Sequence, residues 1–175
     1  SAQRLAFFFL SLPEKQVEIF ANTLIQTKRQ VRFCETCFNI TIEPKCAICK
    51  DENRQSTTIA VVAEPKDIFA IERTKAFKGK YHVLGGLISP IDGIHPEVLR
   101  IKELCQRIES EQVSEIVLAI NPTIEGDTTA LYLSNLLKNY PVKVAKLAHG
   151  LPMGSDIDYA DDLTLQKAFL GRQHI

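Results

Sequence analysis

Apolar positions along the first third of the chain recur with helical spacing. Leu5, Ala6, Phe8 and Phe9 share one stripe, and Val17, Phe20, Ala21, Leu24 and Ile25 follow the i, i+3, i+4, i+7, i+8 rhythm. Two helices are expected here, the second running to about Lys28 with Pro13 in its first turn, where proline is favoured. The first has no visible start signal and reads as the interior of something longer. Polar, turn-rich residues over 34–49 then interrupt the pattern. Beyond them the period changes. Residues 57–63 (TTIAVVA) form a bare apolar run, as in strands buried on both faces, and a helix is expected over 65–72. A second strand is expected at 81–84, then a Gly- and Pro-rich loop to His95, then a helix opened by Pro96 with Val98, Ile101, Leu104, Cys105 and Ile108 on one face. A third strand at 115–120, a helix capped by Asp127 to about Lys138, and a fourth strand at 143–147 complete the alternation. This order implies an α/β fold, a mainly parallel sheet with flanking helices, preceded by N-terminal helices. The expected divisions are residues 1–33, 34–56, 57–150 and 151–175.

Four of the five cysteines fall in the interrupting segment, as Cys34-x2-Cys37 and Cys46-x2-Cys49. Two tight turns of this spacing can present four thiolates tetrahedrally to one structural Zn²⁺, leaving no position for a catalytic water. A redox CxxC would want a helix directly after the motif and leaves the second pair unexplained; a cluster of free thiols is the plainer alternative. Cys105 reads as a core residue. With no basic leader or cleavage site and only short apolar runs, neither secretion nor a membrane span is expected, and the expected compartment is the reducing cytoplasm.

Lys+Arg and Asp+Glu both total 21, so any attraction to polyanions must be local. Residues 1–33 carry Arg4, Lys15, Lys28, Arg29 and Arg32 against Glu14 and Glu18, whereas residues 103–165 hold ten acids against four bases. The first end suits phosphates. The remaining clusters read as structural: the Gly85-Gly86 turn lacks a phosphate-loop pattern, Asp156, Asp158, Asp161 and Asp162 lack the Gly and Glu of a calcium loop, and His82, His95 and His149 have no ligand-like spacing.

Where the first strand enters its helix, VVAEPKD places Glu64 and Asp67 at the carboxyl edge of the sheet, the usual ligand edge of such folds. The arrangement resembles the Toprim domain of topoisomerases and primases, which holds Mg²⁺ with a Glu there and an Asp-x-Asp after a later strand. Here Ala63 stands at the Glu position with Glu64 one step along, and Asn121-Pro122-Thr123 replaces Asp-x-Asp. An amide, a ring and a hydroxyl cannot do a carboxylate's work on Mg²⁺. Glu125 and Asp127 follow where acids favour a helix dipole. One alternative is a metal-dependent phosphoryl-transfer enzyme, nuclease- or topoisomerase-like, using Glu64, Asp67, Glu125 and Asp127; another is a protein-only interaction module.

The string at 81–93 (YHVLGGLISPIDG), the paired CxxC, VVAEPKD, and the tail His149-Gly150-Leu151-Pro152-Met153-Gly154 with Asp158-Tyr159-Ala160-Asp161 and Thr164-Leu165 together resemble the RecR family over almost the whole chain. Residues 1–6 resemble the second helix of that family's helix-hairpin-helix, without its Gly-rich hairpin and Lys, so weaker DNA binding than in an extended chain is expected. The resemblance implies a non-catalytic DNA-binding scaffold of bacterial recombinational repair, located in the cytoplasm with the nucleoid. It implies a four-cysteine zinc ribbon joined to a Toprim-like domain, homo-oligomers forming a dimer or ring, and RecO-like and RecF-like partners with which recombinase is loaded at gapped DNA. Arg4 matches the family's DNA-contacting Arg, with Lys28, Arg29 and Arg32 as further cations, or Arg73, Lys75, Lys78 and Lys80 as a second choice. Glu64 and Asp67 are the expected docking edge for a basic partner.

Overall fold

The computed structural model describes residues 2–148 and 150–172, so Ser1 and His149 of the motifs above lie outside the described residues. Helix α1 spans Ala2–Ser11 and α2 spans Glu14–Gln30. Pro13 sits one place before the expected position: its backbone is extended (φ −58°, ψ 140°) and its carbonyl accepts from Gln16 N at 2.9 Å, so it caps α2. Lys28 and Arg29 fall in the last turn, where cations favour the helix dipole. The two helices touch through Phe9 and Phe20, ring centroids 4.8 Å apart, yet neither buries a single residue.

Strands β1 (Arg32–Phe33) and β2 (Ile40–Thr41) pair antiparallel, and α3 (Ala47–Lys50) follows; these form a small knuckle. The chain then alternates: β3 Gln55–Val62, α4 Pro65–Thr74, β4 Gly79–Val83, α5 Ile101–Ser110, β5 Glu115–Leu118, α6 Ile124–Leu137, β6 Lys143–Lys146 and, after the sheet, α7 Asp162–Leu170. The order across the sheet is β4-β3-β5-β6, and all three pairings are parallel. This is the expected α/β, Toprim-like architecture.

The apolar run at 57–63 explains why β3 is central. Ile59 and Val61 face one layer with Ile116 and Leu118, covered by Leu104 and Ile108 of α5 and Leu133 and Leu137 of α6. Ala60 and Val62 face the other layer with Tyr81, Val83 and Ala119, beneath Ile68 of α4 and Phe38 and Ile48 of the knuckle. Each buried aliphatic side chain contributes about 1.5–3 kcal/mol, so β3 is held from both sides. The knuckle, in turn, shares a core with the sheet.

Two expected helix starts shift. Pro96–Val98 form only a 3-10 turn, Leu99 is extended, and α5 begins at Ile101. Arg100 N donates to Leu84 O at 2.9 Å, which ties the chain to the end of β4 and leaves Val98 exposed rather than in the core. Helix α6 is capped by Thr123, whose Oγ1 accepts from Gly126 N at 3.1 Å, not by Asp127. Asp127 lies in the first turn and pairs with Lys146 and Lys167. Among the described residues no helix is long and apolar enough to cross a membrane.

Candidate metal centre and acidic edge

Cys34 and Cys37 lie in the turn that follows β1, while Cys46 precedes α3 as its N-cap and Cys49 lies within it. The four sulfurs all lie within 4.8 Å of one another, and Cys37 Sγ and Cys46 Sγ are 3.5 Å apart. A zinc tetrathiolate has sulfur–sulfur edges of about 3.8 Å, so the donor set fits Zn²⁺ in number, chemistry and span. Cys34, Cys37 and Cys46 are buried. Without a cation the crowded sulfurs compete for protons: bonding to Cys46 and Cys49, then burial, pushes the Cys37 thiol up, while the bonds from Cys37 and Cys49 pull Cys46 down. A bound dication removes that conflict by stabilising all four thiolates. All four ligands come from the protein, so the zinc is structural.

The knuckle is fastened to β4, which would otherwise be an open edge. Val83 N donates to Cys37 O at 2.9 Å. Lys80 Nζ donates to Ile48 O (2.9 Å), Cys49 O (3.3 Å) and Asp51 O (2.6 Å), filling the carbonyl end of α3. The Arg100 guanidinium lies over Phe38 and Phe33, 4.2 and 4.8 Å from their centroids, within cation–π range. His82 is fully buried between these parts, its ring 5.5 Å from Phe38 and its Nε2 2.7 Å from Arg100 O. Behind them, Tyr81 donates to Glu72 at 2.6 Å and Arg54 pairs with Glu72. Burial alone would raise the Glu72 carboxyl, but Arg54 and Tyr81 hold it below its ordinary range. Sequence reading missed Arg54, His82 and Arg100 in this joint, and offered Lys80 to DNA. No local spacing marks them, because each partner comes from a distant part of the chain.

At the carboxyl edge of the sheet the structure uses the acids as follows. Glu64 precedes α4 and Asp67 Oδ2 accepts from Glu64 N at 2.9 Å, one half of a capping box. Glu64 also pairs with Lys66. Ala63 is buried, and Asn121-Pro122-Thr123 forms the tight turn into α6. Among the described residues, the grouped His, Cys, Asp and Glu side chains close enough to share a metal are the four cysteines; Glu64, Asp67, Glu125 and Asp127 do not converge. Arg4 lies exposed on α1, Lys28 and Arg29 at the far end of α2, and Arg32 beyond them in β1, bonded to Glu35 at 2.7 Å.

Fold and site together define a class: a four-cysteine zinc module seated on the edge of a Toprim-like parallel sheet. Comparison with known families agrees part by part. A profile described as the RecR zinc finger domain, of the four-cysteine kind, matches residues 31–51, one described as the Toprim domain matches 57–148, and one described as the RecR C-terminal region matches 150–173. Proteins named recombination protein RecR are 50% identical over 175 residues in Synechococcus sp. (strain CC9605), covering all of this chain and 91% of that protein, and 51% identical over 173 residues in Thermobifida fusca (strain YX), covering 99% and 87%. The chain belongs to the RecR family of DNA-repair recombination proteins.

Proposed function

We propose that this chain is a non-catalytic DNA-binding scaffold that, with RecO-like and RecF-like partners, loads recombinase at gapped DNA. The observation that carries the reading is the carboxyl edge. Where a phosphoryl-transfer enzyme needs convergent carboxylates, this sheet ends in Ala63 and Asn121-Pro122-Thr123, and the nearby acids serve a helix cap and ion pairs. Arg4, Lys28, Arg29 and Arg32 are the proposed phosphate contacts, positioning rather than reading sequence. Glu64 and Asp67 form the proposed docking edge for a basic partner. The four divisions expected above are kept in this reading, with zinc bracing the joint between the helical and Toprim-like parts.

The reading includes a homo-oligomer, a dimer or a ring. What supports it is the apolar surface of α1 and α2, where Phe7, Leu10, Ile19 and Leu24 are all more than half exposed. Two helices that bury no side chain fully in their own chain gain most from a second copy.

The test is a loading assay on gapped DNA coated with single-strand binding protein, with RecO-like and RecF-like proteins present. Onset of recombinase filament growth should come several-fold sooner with the chain than without it, and Glu64→Gln should weaken capture of the RecO-like protein. The DNA should stay intact in Mg²⁺ or Mn²⁺. Strand cleavage that disappears on Glu64→Ala or Asp67→Ala would establish the phosphoryl-transfer alternative instead.

A further inference from the structure

The loop between β4 and α5, residues 85–99, is pinned along its length: Ile88 and Leu99 are buried in the main core and Leu87 and Ile94 pack against it, while its apex is exposed. Gly85 N donates to Ala63 O (3.0 Å) and Arg100 N to Leu84 O (2.9 Å), which closes its base. Ile88 N donates to the buried Thr129 Oγ1 at 2.8 Å, fastening one arm to α6. Ser89 and Ile94 exchange hydrogen bonds of 2.9 Å in both directions, and Ser89 Oγ donates to Asp92 Oδ2 at 2.6 Å. The apex is a single 3-10 turn, Pro90–Asp92, closed by Gly93 in the left-handed region at φ 70°. There Ile91 stands 97% exposed.

One exposed isoleucine is ordinary. An isoleucine held at the tip of a stiff loop is different, because little conformational freedom remains to be lost on binding. The electrostatics narrow the occupant. Residues 85–99 contain Asp92 and Glu97 and no Lys or Arg. Arg100, next in the chain, is turned onto Phe33 and Phe38. The base of the loop is bonded to Ala63, the residue before Glu64. Within this stretch the fixed charge is negative, and at its base Lys66 is paired with Glu64, so the loop favours a cationic protein over phosphates.

We propose that Ile91 is the apolar anchor of a protein-docking surface, and that its occupant is a protein offering an apolar pocket rimmed by Lys and Arg. The inference rests on the docking reading of the acidic edge and adds the source of its affinity: the carboxylates steer the encounter and Ile91 holds it.

The test measures binding of the zinc-loaded full chain to a purified RecO-like protein, the basic probe, at several salt concentrations. Ile91→Ser should weaken binding by roughly 30-fold, mainly through faster dissociation, with zinc content and thermal midpoint unchanged. Ile91→Val should restore most of it. Asp92→Asn with Glu97→Gln should instead slow association a few-fold and flatten its salt dependence. If Ile91→Ser binds within twofold of the parent while Glu64→Gln weakens, the anchor is overturned and the docking edge stands. No binding by the parent chain even at low salt overturns both. A change in oligomeric state or DNA affinity with Ile91→Ser overturns the proposal in favour of a self-contact or a nucleic-acid contact.

Discussion

Gly126 has no room for a side chain. A Cβ built there lies 1.9 Å from Asn121 O, so the turn that replaces Asp-x-Asp closes only with glycine at this place. Alanine's helix propensity would favour Gly126→Ala by about 1 kcal/mol, but overlap with a backbone oxygen cannot relax cheaply. The substitution should cost at least about 2 kcal/mol net, read as a lower urea midpoint of the zinc-loaded chain; an unchanged midpoint would refute the packing. His82 makes a prediction of a different kind. Burial, and then the Arg107 and Arg100 charges, hold its imidazole neutral down to about 4, against the pull of the Arg100 carbonyl. A folded-state value below the unfolded one, about 6.5, means the contribution is present above pH 6.5 and is lost as pH falls toward 4. Over that window the parent should lose about 3 kcal/mol more than His82→Phe, measured as the difference between their denaturation curves. Parallel pH dependence in the two chains would contradict it.

Among elements, the knuckle and β4 show what local pattern can and cannot convey. The four-cysteine site was legible because each CxxC needs only its near neighbours, and the sheet because apolar runs such as 59–62 stay buried whatever their partners are. The late start of α5 was not legible: Pro96 promised a helix, but the bond from Arg100 N to Leu84 O is a tertiary contact that local propensity cannot anticipate. Lys80 misled for a similar reason. It reads as a surface cation, yet its ammonium is committed to three carbonyls of the knuckle. The acids at the carboxyl edge were found at the right edge, though their use as caps depends on backbone geometry. Two predictions belong to the joint. Stripping zinc should raise amide exchange in β4 and in residues 85–99 while α6 keeps its protection; equal exchange with and without metal would uncouple the knuckle from the loop. Lys80→Met should release zinc to a chelator about tenfold faster, since bonds from a charged donor contribute about 1.5–3 kcal/mol, and an unchanged release rate would mean that Lys80 does not brace the site.

At the scale of the whole molecule, a chain with no net charge is divided. Residues 1–33 hold five bases against two acids and residues 103–165 ten acids against four bases, and the proposed reading assigns DNA to the first end and a basic protein partner to the edge at Glu64 and Asp67. The oligomer proposed above, built on the apolar faces of α1 and α2, makes assembly depend on concentration. Replacing Phe7 and Leu24 with Ser should shift the sedimentation profile toward monomer without loss of zinc, and a profile that does not move would remove these helices from the oligomer contact. The central claim, binding without chemistry, is met most directly by a salt titration of gapped-duplex binding in Mg²⁺, with the integrity of the DNA read in the same samples. The account predicts intact DNA and an affinity that falls steeply with salt. It also predicts that removing the charges of Arg4, Lys28, Arg29 and Arg32 flattens the slope of log affinity against log salt by about 3, less than four full contacts because Arg32 is shared with Glu35. A slope unchanged by those substitutions, or DNA cut in proportion to the protein present, would contradict it.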